Sequence, residues 1–176
     1  MTRRLVVLRH AKSSYPSGVV DHERPLGARG VVDARAAGAW IRDHVGIPDR
    51  VIVSSALRTR QTWILASEEL GFPSVGGAGD AGHVSIEPRV YEAWAPTLVE
   101  VLRELPAEVT TALLVGHNPG CETLAHDLAR DSDPAAAAAL ALKYPTSGIA
   151  VLDLEVDWAS LGPRTARLVE FAVPRG

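Results

Sequence analysis

Two histidines and two arginines stand where apolar runs of the chain come to an end. Leu5-Val6-Val7-Leu8 runs directly into Arg9-His10. Val51-Ile52-Val53 leads through Ser54-Ser55-Ala56-Leu57 to Arg58. Ala112-Leu113-Leu114-Val115 ends in Gly116-His117-Asn118-Pro119-Gly120. Unbroken aliphatic runs of this kind suit strands covered on both faces, as in a parallel sheet. In open α/β sheets the functional crevice lies beyond the carboxyl ends of the strands. If the three runs are parallel neighbours, Arg9, His10, Arg58 and His117 meet at one edge. Four potential cations without a cluster of cysteines or carboxylates describe an anion site rather than a metal site. Phosphate is the leading ligand, because the planar fork of arginine binds its oxygens two at a time.

The elements that must position these residues follow from periodicity and punctuation. A helix is expected over about 27–45, through Val31, Val32, Arg35, Ala39 and Trp40, with Gly46 and Pro48 supplying the stop. A second runs over about 56–70 and is ended by Gly71 and Pro73. Pro96 is placed to open a third through Leu98, Val101, Leu102 and Leu105, and Pro119 a fourth through Leu124 and Leu128. Two further strands are expected near 148–156 and 164–173. The order reads β-α-β-α-α-β-α and then two strands: an α/β three-layer sandwich with a mostly parallel sheet and helices on both faces. Residues 74–83, rich in glycine, read as a flexible surface loop, and their spacing is no phosphate-binding fingerprint. The tract Ala135–Ala139 suits a short helix and a mobile connection equally.

Composition narrows the function classes. The 176 residues fit one domain (1–176), and at 47% hydrophobic they can build a core without disulfides or structural zinc. Cys121 is the one cysteine, which suits a reducing, cytoplasmic setting. Only Lys12 and Lys143 are lysines, so the other sixteen basic residues are arginines, scattered from Arg3 to Arg175 rather than gathered in a stripe. With a net charge of −3, that argues against a nucleic-acid partner. The apolar run near the amino terminus is too short for a signal peptide or a membrane span.

The motifs resemble a known family. Leu5-Val6-Val7-Leu8-Arg9-His10-Ala11-Lys12-Ser13 looks like the Arg-His motif of the histidine phosphatase, or phosphoglycerate mutase-like, superfamily. Asp21-His22-Glu23-Arg24-Pro25-Leu26, followed by Arg29-Gly30, is similar to the next segment in its SixA-type phosphohistidine phosphatases. The stretches Ser54–Thr62 and Val115–Gly120 resemble the family's second arginine and second histidine segments. The likeness runs from about residue 4 to 155. It departs at Ala11, where many members have glycine. Only about twenty residues separate Leu70 from Glu92, too few for the helical lid of the larger sugar-phosphate enzymes. That leaves an open site, better suited to a phosphate on a protein surface than to an enclosed metabolite.

The resemblance implies a phosphatase with no cofactor and no metal. His10 would attack phosphorus and form a phosphoenzyme, splitting one hard step into two. Arg9, Arg58 and His117 would hold the equatorial oxygens of the transferring group, with Ser14 as a further hydrogen-bond donor. Glu92 stands where related enzymes place a proton-donating carboxylate. Asp21 and Arg24 read as braces, Cys121 as a small buried residue, and His22, His44, His83 and His126 as bystanders. The expected substrate is phosphohistidine on a protein, and the alternative is a small phosphate ester or sugar phosphate. A binding module without catalysis is disfavoured, since binding alone needs no nucleophile beside Arg9.

Overall fold

The computed structural model describes residues 2–72 and 83–176. Within these residues seven strands form one sheet: β1 (Arg3–Arg9), β2 (Arg50–Ser54), β3 (Val84–Glu87), β4 (Thr111–Gly116), β5 (Ala129–Ser132), β6 (Ile149–Leu154) and β7 (Ala166–Ala172). Their order across the sheet is β3-β2-β4-β1-β6-β7-β5. The expected strands β2, β4 and β1 are parallel neighbours, and only β6 runs against its neighbours on both sides. The expectation misses β3 and β5. Both are four-residue edge strands, half-exposed, with no apolar run to announce them. The glycine-rich stretch expected to be a loop lies, apart from His83, outside the described residues.

Among the described residues five helices cover the sheet: α1 (Ala28–His44), α2 (Leu57–Leu70), α3 (Ala95–Arg103), α4 (Gly120–Leu128) and α5 (Pro134–Leu142). Their ends follow local chemistry. The α2 helix stops at Gly71, whose backbone is left-handed (φ 70°), a conformation open to glycine at little cost. The tract after Pro134 resolves as a helix because Asp133 caps it, its carboxylate accepting from the Ala135 and Ala136 amides.

Alternation along the central strands decides which helices lie where. Val6, Leu8, Val51, Val53, Leu113 and Val115 pack with Ile41 of α1 and with Trp63 and Leu70 of α2. Leu5, Val7, Ile52, Ala112 and Leu114 face the other way, against Leu98, Leu102, Leu124, Leu128 and Leu140 of α3, α4 and α5. Full burial of each Val, Leu or Ile side chain among them contributes roughly 1.5–3 kcal/mol. The carboxyl ends of β1, β2 and β4 are therefore fixed by two packed cores. Residues one step beyond those ends inherit that rigidity.

Candidate active site

Strand register brings the site together. Arg9 of β1 pairs with Gly116 of β4, and the His10 amide then donates to the Gly116 carbonyl at 3.0 Å. On the other side Val53 pairs with Val115, so Ser54, the last residue of β2, comes level with Gly116. Arg58 follows in the first turn of α2 and is buried. His10 and His117, both buried, meet with ring centroids 5.2 Å apart.

The protonation of His10 is set by one contact. Its Nδ1 lies 2.8 Å from the Ala11 carbonyl oxygen. A carbonyl only accepts, so Nδ1 carries the proton and Nε2 keeps its lone pair. Burial, aided by the charges of Arg58, Arg9 and Arg24, pulls the His10 pKa down to about 4, against the opposing pull of the Ala11 hydrogen bond. The ring is neutral and its free nitrogen is available at pH 7.

The arginines are held differently. Arg9 donates to the Tyr144 carbonyl at 2.7 Å, while its buried Nε has no partner. Burial lowers its pKa from the ordinary arginine value, yet the guanidinium stays charged at any working pH. Arg58 is gripped by Asp21: Nη1 donates to the backbone carbonyl at 2.6 Å and Nη2 to Oδ2 at 2.9 Å. The same carboxylate accepts from Arg24 at 2.7 Å and from the Tyr91 hydroxyl at 2.8 Å. Partial burial opposes the Asp21 charge, but the donors Tyr91, Arg24 and Arg58 outweigh it and hold its pKa at about 2. Asp21 and Arg24 thus occupy the bracing positions that their sequence context suggests. Arg24 also donates to Ser13 Oγ at 2.6 Å and stacks on Tyr15.

Other residues take less expected places. The Ser14 hydroxyl donates to the Pro25 carbonyl at 3.3 Å, so in this arrangement its proton points into the 13–26 segment. Glu92 is exposed and adopts a left-handed backbone (φ 53°), next to Tyr91, whose ring meets His117 edge-on at 5.6 Å. That segment is pressed against the start of α4, where a Cβ on Gly120 would collide with the Ala93 carbonyl. His22, expected to be a bystander, packs edge-on to Tyr91 at 4.8 Å and bonds to Ser55 Oγ at 2.9 Å. Sequence reasoning also passes over Ser54, whose hydroxyl lies 2.7 Å from His117 Nε2. Its only sequence signal is its place as the last residue of the strand before Arg58. Cys121 is buried, and that burial pushes its thiol up to about 12, consistent with a packing residue. Among the described residues no group of three or more His, Cys, Asp or Glu is placed to hold a metal ion, and no helix is long and apolar enough to cross a membrane.

No family model matches the chain. An uncharacterized protein of Mycobacterium tuberculosis, Rv1276c, is 42% identical over 170 residues, spanning 96% of this chain and 100% of that relative. The solved structure of a candidate phosphohistidine phosphatase SixA from Nakamurella multipartitia is 31% identical, with a TM-score of 0.82 over 99% of this chain and 97% of that one. The chain belongs to the SixA branch of the histidine phosphatase superfamily. A second candidate SixA structure, from Agrobacterium tumefaciens, is 28% identical, with a TM-score of 0.75 over 98% of this chain and 99% of that one.

Membership in the histidine phosphatases gives the paired histidines a cost as well as a use. Burial, the neighbouring His10 and the Arg58 charge pull the His117 pKa down to about 3. Unfolded, both rings titrate near 6.5; folded, they refuse the proton until about 4 and 3. The unfolded chain therefore binds more protons below pH 6.5, and stability falls as the pH drops. The slope approaches about 1.4 kcal/mol per pH unit for each histidine. Urea unfolding at pH 7, 6 and 5 checks this: wild type loses stability across the series, and His117→Gln flattens the loss. A slope unchanged by the substitution contradicts the assignment.

Proposed function

We propose that this protein is a metal-independent phosphatase that removes the phosphoryl group from phosphohistidine on a protein, through a covalent intermediate on His10. The observation that carries the reading is the His10 tautomer, with Nδ1–H tied to the Ala11 carbonyl and the Nε2 lone pair free, beside Arg9, Arg58 and His117. Its likeness to two candidate SixA structures supports the substrate class. An open mouth supports it too: Glu92, Tyr15 and Trp94 are exposed, and Trp94 is 65% accessible.

In the first step the Nε2 lone pair forms a bond to phosphorus as the bond from phosphorus to the substrate nitrogen breaks. The departing nitrogen keeps that electron pair and takes a proton. Because Nδ1 retains its own proton, the phosphorylated ring is a cation, steadied by the Ala11 carbonyl, and a good leaving group for the second step. Water then bonds to phosphorus, the P–Nε2 bond breaks, its electron pair returns to Nε2, and inorganic phosphate leaves. Arg9, Arg58 and His117 hold the three equatorial oxygens throughout. The arginines supply the positive charge that a metal provides elsewhere. A lone reduced cysteine suits a cytoplasmic setting.

Glu92 is the proton donor in this scheme. Its left-handed backbone costs about 1 kcal/mol that glycine would not incur, which fits a side chain placed for a purpose. Proton donation is worth about 100- to 10,000-fold where the leaving group needs it. An alkoxide leaving from a phosphate ester needs it more than an imidazole nitrogen does. Glu92→Gln is therefore expected to slow hydrolysis of an alkyl phosphate far more than hydrolysis of a phosphohistidine peptide. Equal losses on the two substrates remove Glu92 from the role.

A further inference from the structure

Ser54 sits at the end of β2 with its side chain fully buried. Its hydroxyl has one hydrogen-bonding neighbour among the described residues, His117 Nε2 at 2.7 Å. The other ring nitrogen of His117, Nδ1, is buried without a partner. Two arrangements fit that distance. If Nε2–H donates to the serine, the serine proton has no acceptor and Nδ1 turns a bare lone pair toward the site. If the serine donates to Nε2, its proton is satisfied and Nδ1 must carry the ring proton. The first arrangement leaves two buried groups unmet, and its lone pair would repel a phosphoryl oxygen. The second leaves one group unmet, a donor that an anion would satisfy.

We infer that Ser54 is a positioning residue: its hydroxyl donates to His117 Nε2 and so fixes the tautomer in which Nδ1–H faces the phosphoryl oxygens. The inference rests on the phosphatase reading for what the donor is used for, but the tautomer itself stands on the hydrogen-bond geometry of a neutral ring. His117 is held neutral by burial and by its cationic neighbours, so it has a single ring proton and the choice of nitrogen is forced. Strand pairing supplies the precision, because Val53 against Val115 sets Ser54 beside the residue before His117. The same logic applies on the other histidine, where the Ala11 carbonyl selects the opposite outcome and leaves a lone pair free. One hydroxyl and one carbonyl thereby make a donor and a nucleophile out of two like rings.

The test is nitrogen NMR of the whole protein with 15N-labelled histidine, with wild type, Ser54→Ala and Ser54→Thr compared at pH 7. Wild-type His117 is expected to show a protonated Nδ1 and a bare Nε2. Ser54→Ala is expected to lose that preference and to bind inorganic phosphate about 10- to 100-fold more weakly, by analogy with the cost of removing a partner that orients a metal-ligating histidine. Ser54→Thr keeps the hydroxyl and is expected to restore both. A protonated Nε2 in the wild type overturns the inference without any variant having to fold. So does unchanged phosphate affinity in a folded Ser54→Ala protein. A wild type with the expected tautomer but no phosphatase turnover leaves the role of Ser54 intact and overturns the functional reading instead.

Discussion

Replacing His10 by alanine is expected to abolish turnover, a loss on the order of 10,000-fold or more, as for other covalent nucleophiles. The wild-type protein, quenched in acid-free conditions during turnover of a 32P-labelled substrate, is expected to hold the label on His10. The physical ground is that no other described group offers an unprotonated nucleophile in the cluster: His117 Nε2 is engaged by Ser54 and Asp21 by three donors. A P–N bond is labile to acid and stable to base, and a serine phosphate behaves the other way. Label that survives acid, or a His10→Ala protein that still turns over, contradicts the mechanism.

Arg58→Ala carries the next largest effect. Arg58 acts on the phosphoryl group, which every candidate substrate shares, so the loss is expected to be about 1,000-fold on phosphohistidine and on alkyl phosphate alike. Removing the guanidinium also releases Asp21 and Tyr91, which it helps to hold. Arg58→Lys is expected to recover only part of the activity, because an ammonium supplies charge without the two-pronged geometry. Steady-state kcat/KM on both substrates decides it. A loss below tenfold, or a loss confined to one substrate, places Arg58 outside the transferring group.

The legible part of this protein is its buried centre. Runs such as Leu5–Leu8 and Ala112–Val115 are covered on both faces, and burial of that kind writes itself into composition. The four residues at the ends of those runs could be paired before any coordinates, since parallel neighbours must end at one edge. What could not be read depends on exposure or on register. Strands β3 and β5 are the two edges of the sheet, so Val84–Glu87 and Ala129–Ser132 carry half-exposed, mixed residues without a period. Ser54 looks like any polar residue after a strand until the Val53–Val115 pairing puts it beside His117. His22 and Tyr91 are 69 positions apart and meet only because the 21–23 turn folds back over the carboxyl ends of the strands.

The central claim is that the chemistry serves phosphohistidine on a protein. A competition assay tests it most directly: wild-type protein is given a phosphohistidine-bearing protein together with an alkyl phosphate and a sugar phosphate, and release from each is followed in the same tube. The phosphohistidine protein is expected to be consumed first, with a kcat/KM above that of either ester. Equal or faster consumption of an ester contradicts the claim and assigns the same pocket to small phosphoesters.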